Sequence, residues 1–300
     1  MRERSGASYG PALAGIAIGT AAAVVALVLV LPTLRRPRPS TGSTPAATAL
    51  RTESAPPPAA AKVDLAQLRS VLVAEAARIP GSVSVHVRLE NGGRAGVKGD
   101  EARPAASHIK LPIMVVLQDA WARGLLKRTA RDEEAVRKAI TLSDNPSADW
   151  LISRLGTSQI NEWLTEHGYK QTRLKHRMEG PRPDGPNAVS AQEMTRMLLE
   201  IAGGKLISAE ASAGMRGLLL AQTRRTRLPA ELPEGVTVGN KTGTLRGIVN
   251  DAAFVEPPGG PRYAIAVLVT RARSDDATSR AIARLSRRVY EVITHPEPKL

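Results

Sequence analysis

The chain has 300 residues, 42% of them apolar, with a net charge of +14 and no cysteine. That content suffices for a sizeable core, and it excludes disulfides, thiolate metal sites and a lipidated cysteine. The positive balance points to an anionic neighbourhood, whereas an aromatic content of 3% argues against nucleic-acid binding, because single-strand platforms need stacking rings.

Residues 1–11 form a short leading segment. Residues 12–31, ALAGIAIGTAAAVVALVLVL, are uncharged and mostly apolar; they are long enough to span a bilayer and longer than the usual signal-peptide core. An uncleaved signal anchor is expected there, making the membrane a partner of the chain. Arg35, Arg36 and Arg38 follow the span while Arg2 and Arg4 precede it, so the charge count alone would leave the C-terminus in the cytoplasm. Residues 32–62, rich in Pro, Ala, Thr and Ser, hold too few large apolar groups to fold and read as a tether. The folded body is expected over 63–300 and carries +9 of the charge.

Leu65, Leu68, Leu72, Ala76 and Ile79 recur at helical spacing over 63–79. Residues 82–90 alternate, and Asn91-Gly92-Gly93 turns the chain into a second short strand. The apolar run from Ile113 to Leu126 predicts a helix beginning at Ser107, with Pro112 near its first turn. Shorter helices are predicted over 133–142, 146–155 and 160–166. Residues 168–189 are irregular, broken by Gly180, Pro181, Pro183, Gly185 and Pro186. Ser190 and Glu193 form a capping box that opens a helix to about Ala202. Period two returns at 236–241, 248–255 and 263–270, and a closing helix over 277–293 aligns Ile282, Leu285, Val289 and Val292. Hairpin-linked strands interrupted by a helical block predict an α+β fold: a five-stranded antiparallel sheet flanked by helices, plus an all-helical subdomain.

Ser107 and Lys110 share a helical face, which places an amine beside a hydroxyl. A serine nucleophile needs a base within reach, and a lysine serves as one only if burial or a second cation lowers its pKa. Alone, the pair reads better as a capping serine and a solvated lysine. Ser143-Asp144-Asn145 before Pro146 alone reads as an N-capping turn, and Lys241-Thr242-Gly243 alone reads as a strand end with a turn glycine. The three motifs occur in that order, at a helix start, an inter-helix loop and a strand end.

Together with their surroundings, AITLSDNPSADWL and VGNKTGTLRGIVNDAAFV, they make the chain resemble the penicillin-binding proteins and, in particular, the class A β-lactamases, from about Val63 to the C-terminus. The resemblance implies a β-lactamase/DD-peptidase-like fold and a serine hydrolase acting through an acyl-enzyme on Ser107. Lys110 would take the serine proton, its pKa lowered partly by Lys241. Ser143 would relay a proton to the leaving nitrogen, and the backbone N–H groups of Ser107 and Thr244 would form the oxyanion hole. Lys241 and Thr242 would hold the substrate carboxylate, Asn145 the substrate's side-chain amide, and Gly243 would let the substrate backbone lie close. Glu179, after Arg177-Met178, would activate the hydrolytic water.

The implied substrates are β-lactams or D-alanyl-D-alanine peptides, with no cofactor and no metal. Such substrates lie outside the cytoplasmic membrane, so the resemblance places the body extracytoplasmic, against the arginine count. The rivals are a D-alanyl-D-alanine peptidase and a non-catalytic wall- or lipid-binding module. Two departures bear on turnover: Pro183 stands where the family has a water-holding asparagine, and only 36 residues separate Ser107 from Ser143, a shorter excursion than usual, without its aromatic wall. His86, His108, His167, His176 and His295 show no metal-ligand spacing. Asp132, Glu133 and Glu134 suit a helix opening.

Overall fold

Helix α1 (Leu65–Arg78) starts where Asp64 caps it, the carboxylate accepting from the backbone N–H groups of Ala66 and Gln67. The computed structural model describes residues 63–295, so the leading segment, expected anchor and tether lie outside the described residues. After α1 come β1 (Ser82–Leu89), β2 (Arg94–Val97) and a two-residue strand β3 (Arg103–Pro104). A 3-10 turn (Ala106–Ile109) then leads into α2 (Lys110–Ala122), α3 (Ala130–Thr141), α4 (Asn145–Leu155) and α5 (Thr157–Glu166). β4 (Ala188–Val189), α6 (Ala191–Ala202) and α7 (Ala209–Leu220) precede β5 (Thr237–Leu245), β6 (Ile248–Glu256), β7 (Tyr263–Thr270) and α8 (Asp275–Thr294).

The main sheet has the order β2-β1-β7-β6-β5, every neighbour antiparallel. Register Ser82↔Thr270 sets the first long strand beside the last. One face packs Val85, Val87, Ile265 and Val267 against Leu68 and Leu72 of α1 and Leu285 and Val289 of α8. The other packs Ala252, Phe254 and Leu268 onto the helical block, with Met114, Ile140 and Met194. Burial on both faces explains why β6 and β7 read as near-continuous apolar runs. The expected α+β architecture with five antiparallel strands and a helical block is what the chain forms. Among the described residues no helix is long and apolar enough to cross a membrane.

Four local differences matter for the site. The helix expected from Ser107 begins as a 3-10 turn, so α2 starts only at Lys110 and Pro112 falls in its first turn. β5 runs on to Leu245, which puts Lys241 mid-strand rather than at a strand end. Ser190 caps α6, but Glu193 does not close the box; its carboxylate accepts from Gln171 N at 2.9 Å and Thr172 Oγ1 at 2.7 Å. It thereby staples the irregular segment to the helix. Helix α7 was not anticipated, because Gly214 and Gly217 interrupt its pattern.

Candidate active site

The segment carrying Ser107 is held from three distant parts of the chain. Ala105 N donates to Asn187 O at 2.7 Å, and Asn250 Nδ2 donates to Pro104 O at 3.0 Å. Gly243 of β5 packs so closely that a Cβ there would lie 2.9 Å from Ala105 O. These contacts hold Ala106 at φ 46°, a left-handed conformation that costs a non-glycine residue about 1–2 kcal/mol. The following turn presents Ser107 at a cleft also lined by Asn145, His176, Met178, Arg182 and Thr244.

Ser143 is likewise held left-handed, at φ 64°. Its carbonyl accepts from Lys110 Nζ at 2.5 Å, while its hydroxyl lies 3.0 Å from Lys241 Nζ. Asp144 caps α4 by accepting from Ser147 N, with Pro146 in the first turn, so the bland capping role and a site role coexist in one tripeptide. Asn145 Oδ1 accepts from Lys110 Nζ at 2.7 Å. Lys110 thus bonds Ser143 and Asn145 and makes no hydrogen bond to Ser107 Oγ among the described residues. Ser107, Lys110, Ser143, Asn145 and Lys241, scattered over 135 positions of sequence, are nonetheless linked or line one cleft.

Burial brings the Lys110 amine down to about 8, with a further push from Arg224 and against the raising influence of Asp144 and Asp149. For Lys241, burial first and then the neighbouring Lys110 hold the amine well below the ordinary lysine range. The repulsion between the two ammoniums is mutual and disfavours charging both at once. Two buried amines flanking one serine shed a proton more readily than either would alone.

Beneath β5 lies a polar layer that the motifs do not announce. Arg227, buried, donates to Gly243 O at 3.2 Å, Asn250 O at 2.7 Å and Thr244 Oγ1 at 2.7 Å. Asp251 accepts from Asn240 Nδ2 at 3.0 Å and from Leu228 N at 3.1 Å; burial pushes its carboxyl up to about 6 against those bonds. His108 turns its ring toward Gly243 and away from the cleft. Burial, then Lys241, lowers its pKa to about 3, so the ring is neutral. Thr242 is buried and does not line the cleft, whereas Thr244 does.

The irregular segment supplies one wall. Asn187 fastens it, its side chain accepting from Lys175 N and His176 N and donating to His176 O. Asp149 of α4 accepts from Met178 N at 2.6 Å and Glu179 N at 3.1 Å. That anchoring turns Met178 into the cleft, whereas Glu179 is exposed, is not among the lining residues and forms no side-chain hydrogen bond or ion pair among the described residues. Arg177 bonds Ser153 Oγ instead of pairing with Glu179. Asn187, Asp149, Asn250 and Arg227 were missed by sequence reasoning, since each is a single polar residue in an unremarkable context. The one available signal was polarity inside apolar strand runs, as at Asn250 and Asp251.

Comparison with known proteins follows the same lines. The profile described as the β-lactamase enzyme family matches residues 66–132 and 128–293. β-Lactamase AST-1 of Nocardia asteroides is 29% identical over 168 residues, covering 50% of this chain and 51% of that protein. The chain spans about half the length of the curated relatives it matches. Among solved structures, the ancestral class A β-lactamase GNCA superposes with a TM-score of 0.68 at 28% identity, over 75% of this chain and 99% of that one. PBP-A superposes with a TM-score of 0.69 at 27% identity, over 76% and 96%. With the profile running from α1 to the end of α8 and the whole class A body superposing on these helices and strands, the chain belongs to the β-lactamase enzyme family.

Proposed function

We propose that the chain is a serine hydrolase of the class A β-lactamase type, opening β-lactam amides through an acyl-enzyme on Ser107. The observation that carries this is the Lys110–Ser143–Lys241 chain of contacts beside the Ser107 cleft. In the first step Ser107 Oγ bonds to the substrate carbonyl carbon and its proton passes to Lys110 Nζ. The carbonyl oxygen becomes an oxyanion facing the N–H groups of Ser107 and Thr244, where one donor contributes about 3–4 kcal/mol to the transition state. As the C–N bond breaks, Ser143 Oγ gives its proton to the leaving nitrogen and is reprotonated from the amines. Thr244, which lines the cleft, holds the substrate carboxylate in the field of Lys241, Asn145 holds its side-chain amide, and Gly243 admits its backbone. No cofactor or metal takes part.

Deacylation is a separate question, with Glu179 as the water-activating base in this reading. The exposed carboxylate at 179 and Pro183 in the same loop favour a second reading, a D-alanyl-D-alanine peptidase whose penicilloyl adduct persists. Mass spectrometry of the protein after penicillin exposure, followed over time, tests both. An adduct on Ser107 that clears within minutes supports the lactamase, and one that persists supports the peptidase. Absence of any adduct, or equal labelling of Ser107→Ala, refutes the acyl-enzyme and leaves a non-catalytic wall- or lipid-binding module. Glu179→Gln prolongs the adduct if that carboxylate activates water; an unchanged lifetime removes it from the mechanism.

The apolar stretch 12–31 supports anchoring in the cytoplasmic membrane with the body outside it, where these substrates are. A reporter fused to the C-terminus distinguishes this orientation from the opposite one.

A further inference from the structure

A second pocket shares no residue with the Ser107 cleft and is walled by Arg69 of α1, His86 of β1, Arg94 of β2, Lys98 and Asp100. At its floor His86 is only 4% exposed. His86 Nδ1 lies 2.7 Å from Thr195 Oγ1, and that hydroxyl donates its own hydrogen to Gln192 O at 2.9 Å. With its one hydrogen given to Gln192 O, the hydroxyl accepts from Nδ1, which assigns the ring proton to Nδ1 and a bare lone pair to Nε2. Burial, then Arg88 and Arg94, keep the ring neutral by lowering its pKa to about 4.

His86 Nε2 has no partner among the described residues, and it is not one of the sealed polar atoms. The ring edge is left bare by Gly96 and Gly99, where a Cβ would approach His86 Cδ2, the carbon bonded to Nε2, to 3.1 Å. The result is a buried, oriented hydrogen-bond acceptor facing a basic pocket.

The cations around it form no ion pairs among the described residues. Arg88 and Arg94 stand directly opposite each other in the β1–β2 register, an arrangement that destabilises a hairpin unless an anion bridges it. Neither they nor Lys98 has an ion pair or side-chain hydrogen bond among the described residues, and Arg69 spends one N–H on Gly96 O at 3.0 Å. Lys98 is itself held at φ 52°, left-handed for a lysine. A ligand that satisfies this pocket must donate to Nε2 and bring an anionic group with acceptors for several separate cations. Phosphate offers more acceptor oxygens than a carboxylate. Asp100, the only carboxylate among the lining residues, disfavours a bare polyanion and accepts from a further hydroxyl.

We propose that this pocket binds a hydroxyl-bearing phosphate ester of the glycerol phosphate type, the hydroxyl donating to His86 Nε2 and the phosphate lying between Arg94 and Lys98. Such a group occurs both as a free polyol phosphate and as a phospholipid headgroup. The full chain in non-ionic detergent is titrated by calorimetry with glycerol 3-phosphate, soluble dihexanoyl-phosphatidylglycerol, glycerate and sulfate. His86 is followed by its imidazole nitrogen resonances.

Glycerol 3-phosphate is expected to bind at least about tenfold more tightly than sulfate or glycerate, and Arg94→Gln/Lys98→Gln to weaken it by about tenfold or more. The Nε2 resonance shifts while Nδ1 stays protonated. Tighter binding of the short-chain lipid than of glycerol 3-phosphate identifies the headgroup as the source; equal or weaker binding identifies the free ester. Equal affinity for sulfate, an unaffected double variant, or an unmoved Nε2 signal overturns the proposal. Penicillin labelling of Ser107 in the double variant stays at the wild-type level, which keeps this test separate from that of the catalytic reading.

Discussion

Lys110→Met tests the electrostatic basis of the site because it keeps the side-chain volume and removes only the amine. The fold lowers the Lys110 pKa from 10.5 to about 8, which at about 1.4 kcal/mol per unit means that holding the charge costs roughly 3 kcal/mol below pH 8. Between pH 8 and 10.5 the unfolded chain binds the proton more tightly than the folded one, so wild-type stability rises with pH across that window. The variant lacks the group. The wild-type-minus-variant difference in unfolding free energy should therefore move by roughly 3 kcal/mol in the wild type's favour from pH 7 to pH 10.5. Removing Lys110 also relieves Lys241 of a neighbouring charge, which acts in the same direction, and groups common to both chains cancel. Urea unfolding of each protein at the two pH values measures the difference. The same protonation should govern acylation, with the labelling rate rising through a midpoint near pH 8 in the wild type and falling about 10²–10⁴-fold in the variant. A stability gap that is constant with pH, or a labelling rate flat from pH 6 to 9, would refute the assignment of Lys110 as a depressed-pKa base.

Asp132→Ala removes the carboxylate that accepts from Arg154 Nε at 3.1 Å and Trp150 Nε1 at 2.9 Å, leaving both donors unmatched; about 3 kcal/mol of stability should be lost in chemical denaturation. Gly243→Ala drives a methyl toward Ala105 O, so acylation should fall at least about tenfold while far-UV circular dichroism is preserved. Asn250→Ala frees Pro104 O and Val269 N of their partner; it should cost about 2 kcal/mol and slow acylation without shifting its pH midpoint. In each case an unchanged measurement counts against the role assigned.

The architecture was legible because period two and period 3.6 segregate cleanly along this chain. β7 occupies the predicted 263–270, and β1 and β6 differ from the predicted 82–90 and 248–255 by a residue each. What alternation cannot show is where a strand stops being paired: the pattern ends β5 at Lys241, whereas its ladder continues to Leu245↔Ile248. The turn at Ser107 escapes the local pattern for a related reason. Pro112 and the apolar run mark a helix, but the left-handed Ala106 that tightens its entry is imposed by contacts from residues 187, 243 and 250, which no local pattern encodes. The central motif residues were legible as types at intervals. Their neighbours Arg227, Asn187, Asp149 and Asn250 were not, because a buried polar residue is recognisable only by the partners the fold brings to it.

Those hidden residues explain how a strained geometry persists. Ala106 and Ser143 are held at φ 46° and 64°, and each costs on the order of 1–3 kcal/mol. Ala106 has no side-chain hydrogen bond to give, whereas Ser143 Oγ accepts from Lys241 Nζ. At Ala106 the cost is offset by the hydrogen bonds of the adjacent residues Pro104 and Ala105 to Asn250 and Asn187. At Ser143 it is offset by Lys110, whose ammonium binds the carbonyl that the left-handed turn aims at it. Relaxing Ser143 toward an ordinary conformation would redirect both its carbonyl and its hydroxyl, separating Lys110 from Lys241 in a single movement. The strain is thus coupled to the electrostatics: the turn keeps two buried amines near one hydroxyl, and a charge-assisted bond from one of those amines keeps the turn. A site built this way tolerates substitution at its exposed rim far better than at the buried amides and amines that hold its backbone.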